Sequence, residues 1–268
     1  MLRDITIGQF YPVESPVHRL DPRVKVVAVL VYLISLFLFS SFAGYIVVTL
    51  FLITVISLSR VPLSYIIKGL KPILVLLAFT AFFNIFWTRG DIAFQWRFIT
   101  ITWQGLRKGL FMAMRLIYLI IGSSMLTYTT TPNQLTDAIE SLLKPLEKLH
   151  VPVHDFAMMM SLALRFIPIL LDEANRIINA QSARGADFEE GSLWKRMKAM
   201  VSILVPLLVS SVRRAYDLAM AMESRCYHGG AGRTKMKPLR YRTVDGIVYG
   251  ILMIYFVMII AVTHFIRI

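Results

Sequence analysis

Apolar positions along this chain come in long unbroken runs, not in the ~10-residue alternating segments that a membrane β-barrel would show. From Val24 to Leu58 nearly every residue is apolar. One helix over that run would be about 52 Å long, too long for a single crossing of a ~30 Å hydrocarbon core. Ser40, Ser41 and Gly44 offer a turn, so the run predicts two spans forming a hairpin, 24–39 and 43–58. Arg60, Pro62, Lys68 and Lys71 then read as a short loop, followed by a third span, 72–87, ending on Trp87 as an interfacial anchor. Residues 88–105 read as an outer loop, where the alternation from Phe94 to Ile99 suggests a short hairpin or interfacial segment. A fourth span, 106–128, carries Arg115, which must face protein or snorkel to the membrane edge. A last span covers 244–265.

Between the fourth and last spans the pattern changes. Thr131 before Pro132 starts a helix whose Leu135, Ile139, Leu142, Leu143 and Leu146 share one face, with Pro152 as its stop. Two long helices follow, 153–183 and 192–225, interrupted by Pro168 and Pro206. Each is apolar in its first half and amphipathic in its second. Asp172 and Arg176 are spaced to pair along the first, and Ala215 and Ala219 offer a small-residue face on the second. The expected class is therefore an all-α polytopic membrane protein with about five transmembrane helices and long amphipathic helices between spans 4 and 5. It divides into 1–131 (a polar lead-in and four spans), 132–243 (a charged region) and 244–268 (the last span).

Composition agrees: 57% of the 268 residues are hydrophobic and mean hydropathy is +0.65. The first 23 residues are polar and proline-punctuated, unlike a signal peptide, and read as a cap. The net charge of +13 is concentrated, with 16 of 29 Lys/Arg between Pro132 and Thr243. Lys/Arg-rich segments beside spans are retained in the cytoplasm. That sets the N-terminus and region 132–243 on the cytoplasmic side and the C-terminus, with Arg267, outside. It argues for topology and anionic lipid contact and against nucleic acid.

Candidate chemistry is sparse. Gly229 to Thr234 lacks the Gly-Lys-Ser/Thr ending and the preceding strand of a phosphate loop, and reads as a flexible linker. His150 and His154 flank Pro152 without a ligand cluster, so no metal site is expected. Glu189-Glu190 resembles the glutamate pair of intramembrane prenyl-protein proteases, but Trp194 stands where that pattern needs arginine. One cysteine, Cys226, excludes an internal disulfide.

What repeats is a helix end. Ala183-Arg184-Gly185 and Ser224-Arg225-Cys226 close the two long helices 41 residues apart, and Ala174 and Ala180 fall on Ala215 and Ala221 at the same offset. An arginine in a last turn complements the helix dipole, and glycine is a common stop. The repetition calls for more: a guanidinium with five fixed donors on a protruding end can enter a groove and pair with carboxylates.

Gly8-Gln9-Phe10, the run His18 to Lys25, Leu164-Arg165-Phe166-Ile167-Pro168, Ala183-Arg184-Gly185 and the run Ala219 to Arg225 together resemble the transmembrane T subunit of energy-coupling factor (ECF) transporters. The resemblance spans nearly the whole chain. It implies a non-enzymatic coupling subunit that joins two ATP-binding-cassette ATPases, which carry ATP and Mg, to a membrane S subunit that binds a vitamin or other micronutrient. It implies no cofactor on this chain. By resemblance, Ala183, Arg184 and Gly185 form one ATPase-docking motif and Ser224, Arg225 and Cys226 the second, altered at two of three positions. Cysteine in place of glycine suggests a later helix stop, at Gly229-Gly230. The S subunit is expected on the apolar halves, at Phe156, Met160, Ala163 and Ile167 and at Met197, Met200, Leu204 and Leu208. The competing classes are a membrane scaffold that docks a soluble partner without energy coupling, and an intramembrane enzyme.

Overall fold

In the computed structural model the described residues are 10–39, 41–87, 91–96, 99–186, 193–230, 234–236 and 238–267. They form two compact units, Glu140–Pro238 and Gly8–Ile139 with Leu239–Ile268.

The larger unit is a bundle. Its helices are α1 (Pro22–Leu38), α2 (Phe42–Ser59), α3 (Leu63–Leu70), α4 (Leu74–Trp87), α5 (Trp103–Thr129) and α9 (Thr243–Arg267). Helix α9 packs against both α1 and α2, and the two expected hairpin arms meet through their rings, Phe39 against Tyr45 at 5.0 Å and Tyr32 against Phe51 at 6.1 Å. The loop expected after Arg60 is instead largely helix α3, joined to α4 through a single 3₁₀ turn at Lys71–Ile73 with a 58° bend. Pro72, with no backbone N–H, is tolerated in that turn. A hairpin of β1 (Ile92–Trp96) and β2 (Ile99–Thr102) precedes α5. Thr102 caps α5 by accepting from the Gly105 N–H, so α5 starts three residues before the expected span.

The bundle core is aromatic and hydroxyl-rich. Tyr32, Leu36, Phe39, Tyr45, Val48, Leu52, Tyr255 and Ile259 are buried together. In an apolar solvent each hydroxyl needs an internal partner. The Tyr32 hydroxyl donates to the Tyr118 carbonyl (3.0 Å) and that of Tyr45 to the Phe111 carbonyl (2.8 Å). The Tyr255 hydroxyl and Ser35 Oγ share a bond of 2.8 Å. Arg115 turns inward: it donates to the Phe39 carbonyl at 3.0 Å, capping the end of α1, with its guanidinium 5.0 Å from the Phe111 ring centroid. The outer faces stay apolar and exposed, as at Leu50 and Ile254.

The lead-in is more than a cap. Asp21 is the N-cap of α1, accepting from the Arg23 N–H, and Arg23 returns a two-pronged pair to its carboxylate. Asp245, 1% exposed, accepts from the Asp21 N–H (3.0 Å) and the Arg242 N–H (2.7 Å), tying the starts of α1 and α9 through one carboxylate. Burial works against the Asp21 charge, but the hydrogen bonds from Arg23 outweigh it and hold its carboxyl below the usual range. Lys25 Nζ donates to the carbonyls of His18 and Thr129, fastening the lead-in to the end of α5.

The smaller unit holds the end of α6 (Pro132–Leu143), α7 (Val153–Ala183) and α8 (Leu193–Glu223). Thr131 and Gln134 form a reciprocal capping box at the start of α6. The α-helix stops at Leu143 rather than at Pro152, because Pro145 cannot supply the N–H for the next turn; a 3₁₀ stretch, Lys144–Leu149, carries Leu146.

Among the described residues five helices are long and apolar enough to cross a membrane: α2, α5, α7, the Ala199–Glu223 part of α8, and α9. Three of these coincide with expected spans. The 17-residue α1 and 14-residue α4 are shorter, while α7 and α8, read from sequence as non-spanning, meet the criterion on length and composition.

Candidate functional site

The two arginine-bearing helix ends are built alike. At the first, the Gly185 N–H returns to the Ser182 carbonyl and the Ala186 N–H to the Gln181 carbonyl, both at 3.0 Å. At the second, the Cys226 N–H returns to Glu223 (2.9 Å) and the Tyr227 N–H to Met222 (3.1 Å). These are the same two crossed bonds, 41 residues apart, and they satisfy carbonyls that would otherwise lack partners. The pattern requires a left-handed residue after the arginine: Gly185 has φ +87° and Cys226 φ +54°. The stop expected at Gly229-Gly230 is therefore wrong. Cysteine takes the glycine conformation and the helix closes at the equivalent place.

Arg184 and Arg225 are both exposed, as are Ala183, Gly185, Ser224 and Cys226. Among the described residues neither guanidinium has a hydrogen-bond or ion-pair partner. Two matched helix ends thus present exposed guanidinium forks.

What holds the ends in common is the packing of α7 on α8. Arg214 donates to Glu173 at 3.0 Å, and Gln181 donates to the Ser202 carbonyl at 3.4 Å. Ala174, beside Glu173, is buried at this contact, whereas Ala215 and Ala219 are exposed and form no buried small-residue face. Among the described residues no ion pair joins Asp172 to Arg176, and the acid of α7 seen paired is Glu173. Eleven residues separate Glu173 from Arg184, and eleven separate Arg214 from Arg225. Each arginine therefore lies about 16 Å along its helix from the shared ion pair.

The apolar halves carry the expected stripes. Phe156, Met160, Ala163 and Ile167 on α7, and Met197, Met200, Leu204 and Leu208 on α8, are all exposed. The i, i+4, i+7, i+11 spacing of the first set keeps it on one face.

A polar cluster that no local pattern announces sits on the same unit. Glu140 accepts from Lys235 and is 3.0 Å from His154 Nδ1. Burial disfavours its charge, but the hydrogen bonds from Lys235 and His154 prevail and hold the carboxyl below its ordinary range. A Cβ on Gly230 would meet the His154 ring at 2.2 Å, so glycine is favoured there by contact; residues 231–233 of the expected linker lie outside the described residues. The Tyr227 hydroxyl reaches Met158 Sδ at 3.0 Å. Together these bonds tie the chain after Arg225 back onto α6 and α7. The partners lie up to 95 residues apart, and no local pattern links them. No cluster of three or more His, Cys, Asp or Glu suited to a metal occurs among the described residues. Glu189 and Glu190 lie outside them.

A predominantly helical multi-pass membrane protein with a helix pair ending in matched arginines, neither with a partner among the described residues, is the class these observations define. The chain matches the cobalt transport protein family (CbiQ) over residues 13–237. It is 49% identical to the energy-coupling factor transporter transmembrane protein EcfT of Ruminiclostridium cellulolyticum over 98% of this chain and 99% of that one. It is 53% identical to that of Clostridium kluyveri (91% and 92%) and 46% identical to that of Bacillus subtilis (91% and 93%). The chain belongs to this EcfT family of ECF transporter membrane components.

Proposed function

We propose that this chain is the mechanical link of an ATP-driven uptake system for a vitamin or similar micronutrient. Arg184 and Arg225 dock into grooves on two ABC ATPases, which bind ATP and Mg and hydrolyse the nucleotide; this chain binds neither. Closure of the ATPases moves the two helix ends, and the apolar stripes of α7 and α8 transmit that motion to a substrate-binding S subunit in the membrane. The N-terminus and residues 132–243 face the cytoplasm and the C-terminus lies outside. Residues 132–243 act as the coupling region, between membrane segments 1–131 and 244–268.

One observation carries the reading: two identical helix terminations, each offering an exposed arginine without a partner among the described residues. A stabilising role for either arginine alone would not require the match. The two ends differ in sequence, Ala-Arg-Gly against Ser-Arg-Cys, which suits two different ATPases.

The test is co-purification of the ATPases, with substrate uptake measured in parallel. Arg184→Glu with Arg225→Glu should release both ATPases from an inserted protein. Arg184→Ala with Arg225→Ala should abolish uptake, and the paired lysine variant should recover it only partly, because an ammonium cannot form the two-pronged pair. Wild-type uptake by the double alanine variant would refute the docking role.

A further inference from the structure

Two cavities of the bundle unit meet at Leu20, which lines both. The first, about 540 Å³, is polar: Arg19, Arg60 and Arg242 line it with Glu14 and Asp245. The second, about 430 Å³, is an apolar groove walled by Leu50, Thr54 and Leu58 of α2 and by Val248, Ile251 and Ile254 of α9. The two run into one another along the helices. Leu58 of the groove is two residues from Arg60, and Val244 of the polar cavity is one turn from Val248.

The charges in the polar cavity are unevenly spent. Arg19 is paired with Glu14. Both oxygens of Asp245 accept backbone N–H groups, from Asp21 and from Arg242. The guanidinium groups of Arg60 and Arg242 are exposed and have no partner among the described residues. Arg60 ends α2 in a left-handed conformation, φ +55°.

We infer that this composite cavity binds an anionic glycerophospholipid, with the phosphodiester on Arg60 and Arg242 and one acyl chain in the α2–α9 groove. A free phosphate would use the arginines and leave the groove empty. A zwitterionic lipid such as phosphatidylcholine also offers a phosphodiester, but it brings a choline cation up to the same two arginines. A lipid with net negative charge fills the groove and neutralises the arginines without that added cation. The groove lies between outward-facing residues, Leu50 at 67% and Ile254 at 64% exposure, so an acyl chain enters it sideways from the bilayer.

Native mass spectrometry of the purified full-length protein tests this, with phosphatidylglycerol, phosphatidylcholine of the same chains, and inorganic phosphate as probes. Phosphatidylglycerol should be retained about tenfold over phosphatidylcholine, as two basic contacts allow. Arg60→Gln with Arg242→Gln should reduce its retention to the phosphatidylcholine level. Leu50→Trp with Ile251→Trp, which fills the groove and keeps both arginines, should lower retention of both lipids several-fold. Size-exclusion profiles establish that each variant is folded, and the single Arg60→Gln and Arg242→Gln variants should each give intermediate retention. Equal retention of the two lipids by the wild type, or unchanged retention by the double glutamine variant, would overturn the site. Displacement of the lipid by millimolar inorganic phosphate would overturn the lipid assignment in favour of free phosphate.

Discussion

Arg214 donates to Glu173 across 3.0 Å, and the two residues stand 41 apart, the offset that also separates Arg184 from Arg225. Each residue of the pair is thus bonded to its own counterpart in the repeat. The two helices meet at equivalent positions, and the arms from the contact to the two arginines are equal in length. The pair is partly exposed, at 38% and 25% for the two side chains, so its direct contribution to stability is modest, about 0.5 kcal/mol. Its larger role is to set the register of α7 against α8. Glu173→Arg should place like charges together, and reduce uptake more than it reduces thermal stability. The exchange Glu173→Arg with Arg214→Glu should restore most of the uptake. Transport assays on the two single variants and the exchange would measure this, and failure of the exchange to recover uptake would separate the pair from register.

Cys226 does the work of a glycine at the second helix end. A side chain in the left-handed region costs about 1 kcal/mol relative to glycine. Cys226→Gly should therefore raise the stability of this helix end by about that amount and leave uptake unchanged, because the crossed bonds to Glu223 and Met222 remain. At the first end the same argument runs in reverse. A Cβ at Gly185 meets nothing within 4 Å, so Gly185→Ala should cost about 1 kcal/mol through backbone conformation alone. Thermal unfolding of the purified variants, read alongside amide exchange at residues 181–186 and 222–227, would show both changes.

The repeat at Arg184 and Arg225 was legible in sequence because a helix end is a local feature: a last turn, a basic residue, a stop. The long helices were legible for the same reason, and the expected 153–183 coincides with α7. The second stop was misjudged because propensity disfavours a left-handed cysteine, whereas the closing hydrogen bonds, with Tyr227 held on Met158, override it. The role of Arg115 was open because hydropathy gives depth but no direction; the aromatic pocket of Phe37 and Phe111 supplies the direction. Asp245 and Glu140 were invisible for a different reason. Each is a single acid with one partner far off in sequence, Asp21 at 224 residues from Asp245 and Lys235 at 95 from Glu140, and no spacing rule reaches that far.

Asp245 is the buried carboxylate on which the starts of two helices depend. Asp245→Ala would leave the buried Asp21 N–H without an acceptor, at a cost of about 1–3 kcal/mol, and would also remove the acceptor of the more accessible Arg242 N–H. Asp245→Asn retains one acceptor oxygen and turns the other position into a donor that faces an N–H. It should lie between the wild type and alanine. Limited proteolysis of the lead-in, residues 10–21, should accelerate in the same order, with the alanine variant cut fastest. Equal cleavage of all three proteins would show that the lead-in is held by Lys25 and its two carbonyl acceptors instead.

Glu140 gives the smaller unit a pH dependence whose sign can be worked out. Its carboxyl is held below the ordinary range in the folded chain, where Lys235 and His154 bond to it, and returns to that range, about 4.3, on unfolding. A depressed folded pKa contributes stability that is fully present above the unfolded pKa and is lost as pH falls through the folded value. Near neutral pH, Glu140→Gln should therefore be less stable than the wild type. The gap should hold while pH stays above the unfolded value, narrow below it, and close only once pH has fallen past the lower folded value. The release has a defined place: the segment after Arg225, which Lys235 and the Gly230–His154 contact tie to α6 and α7. Amide exchange at residues 227–230, followed downward from pH 7 with correction for the intrinsic rate, should begin to rise in the wild type only below the unfolded carboxyl range and move toward the level that the glutamine variant already shows at pH 7. Equal exchange in the two proteins at pH 7 would mean that the cluster acts through packing of His154 on Gly230 and not through the Glu140 charge.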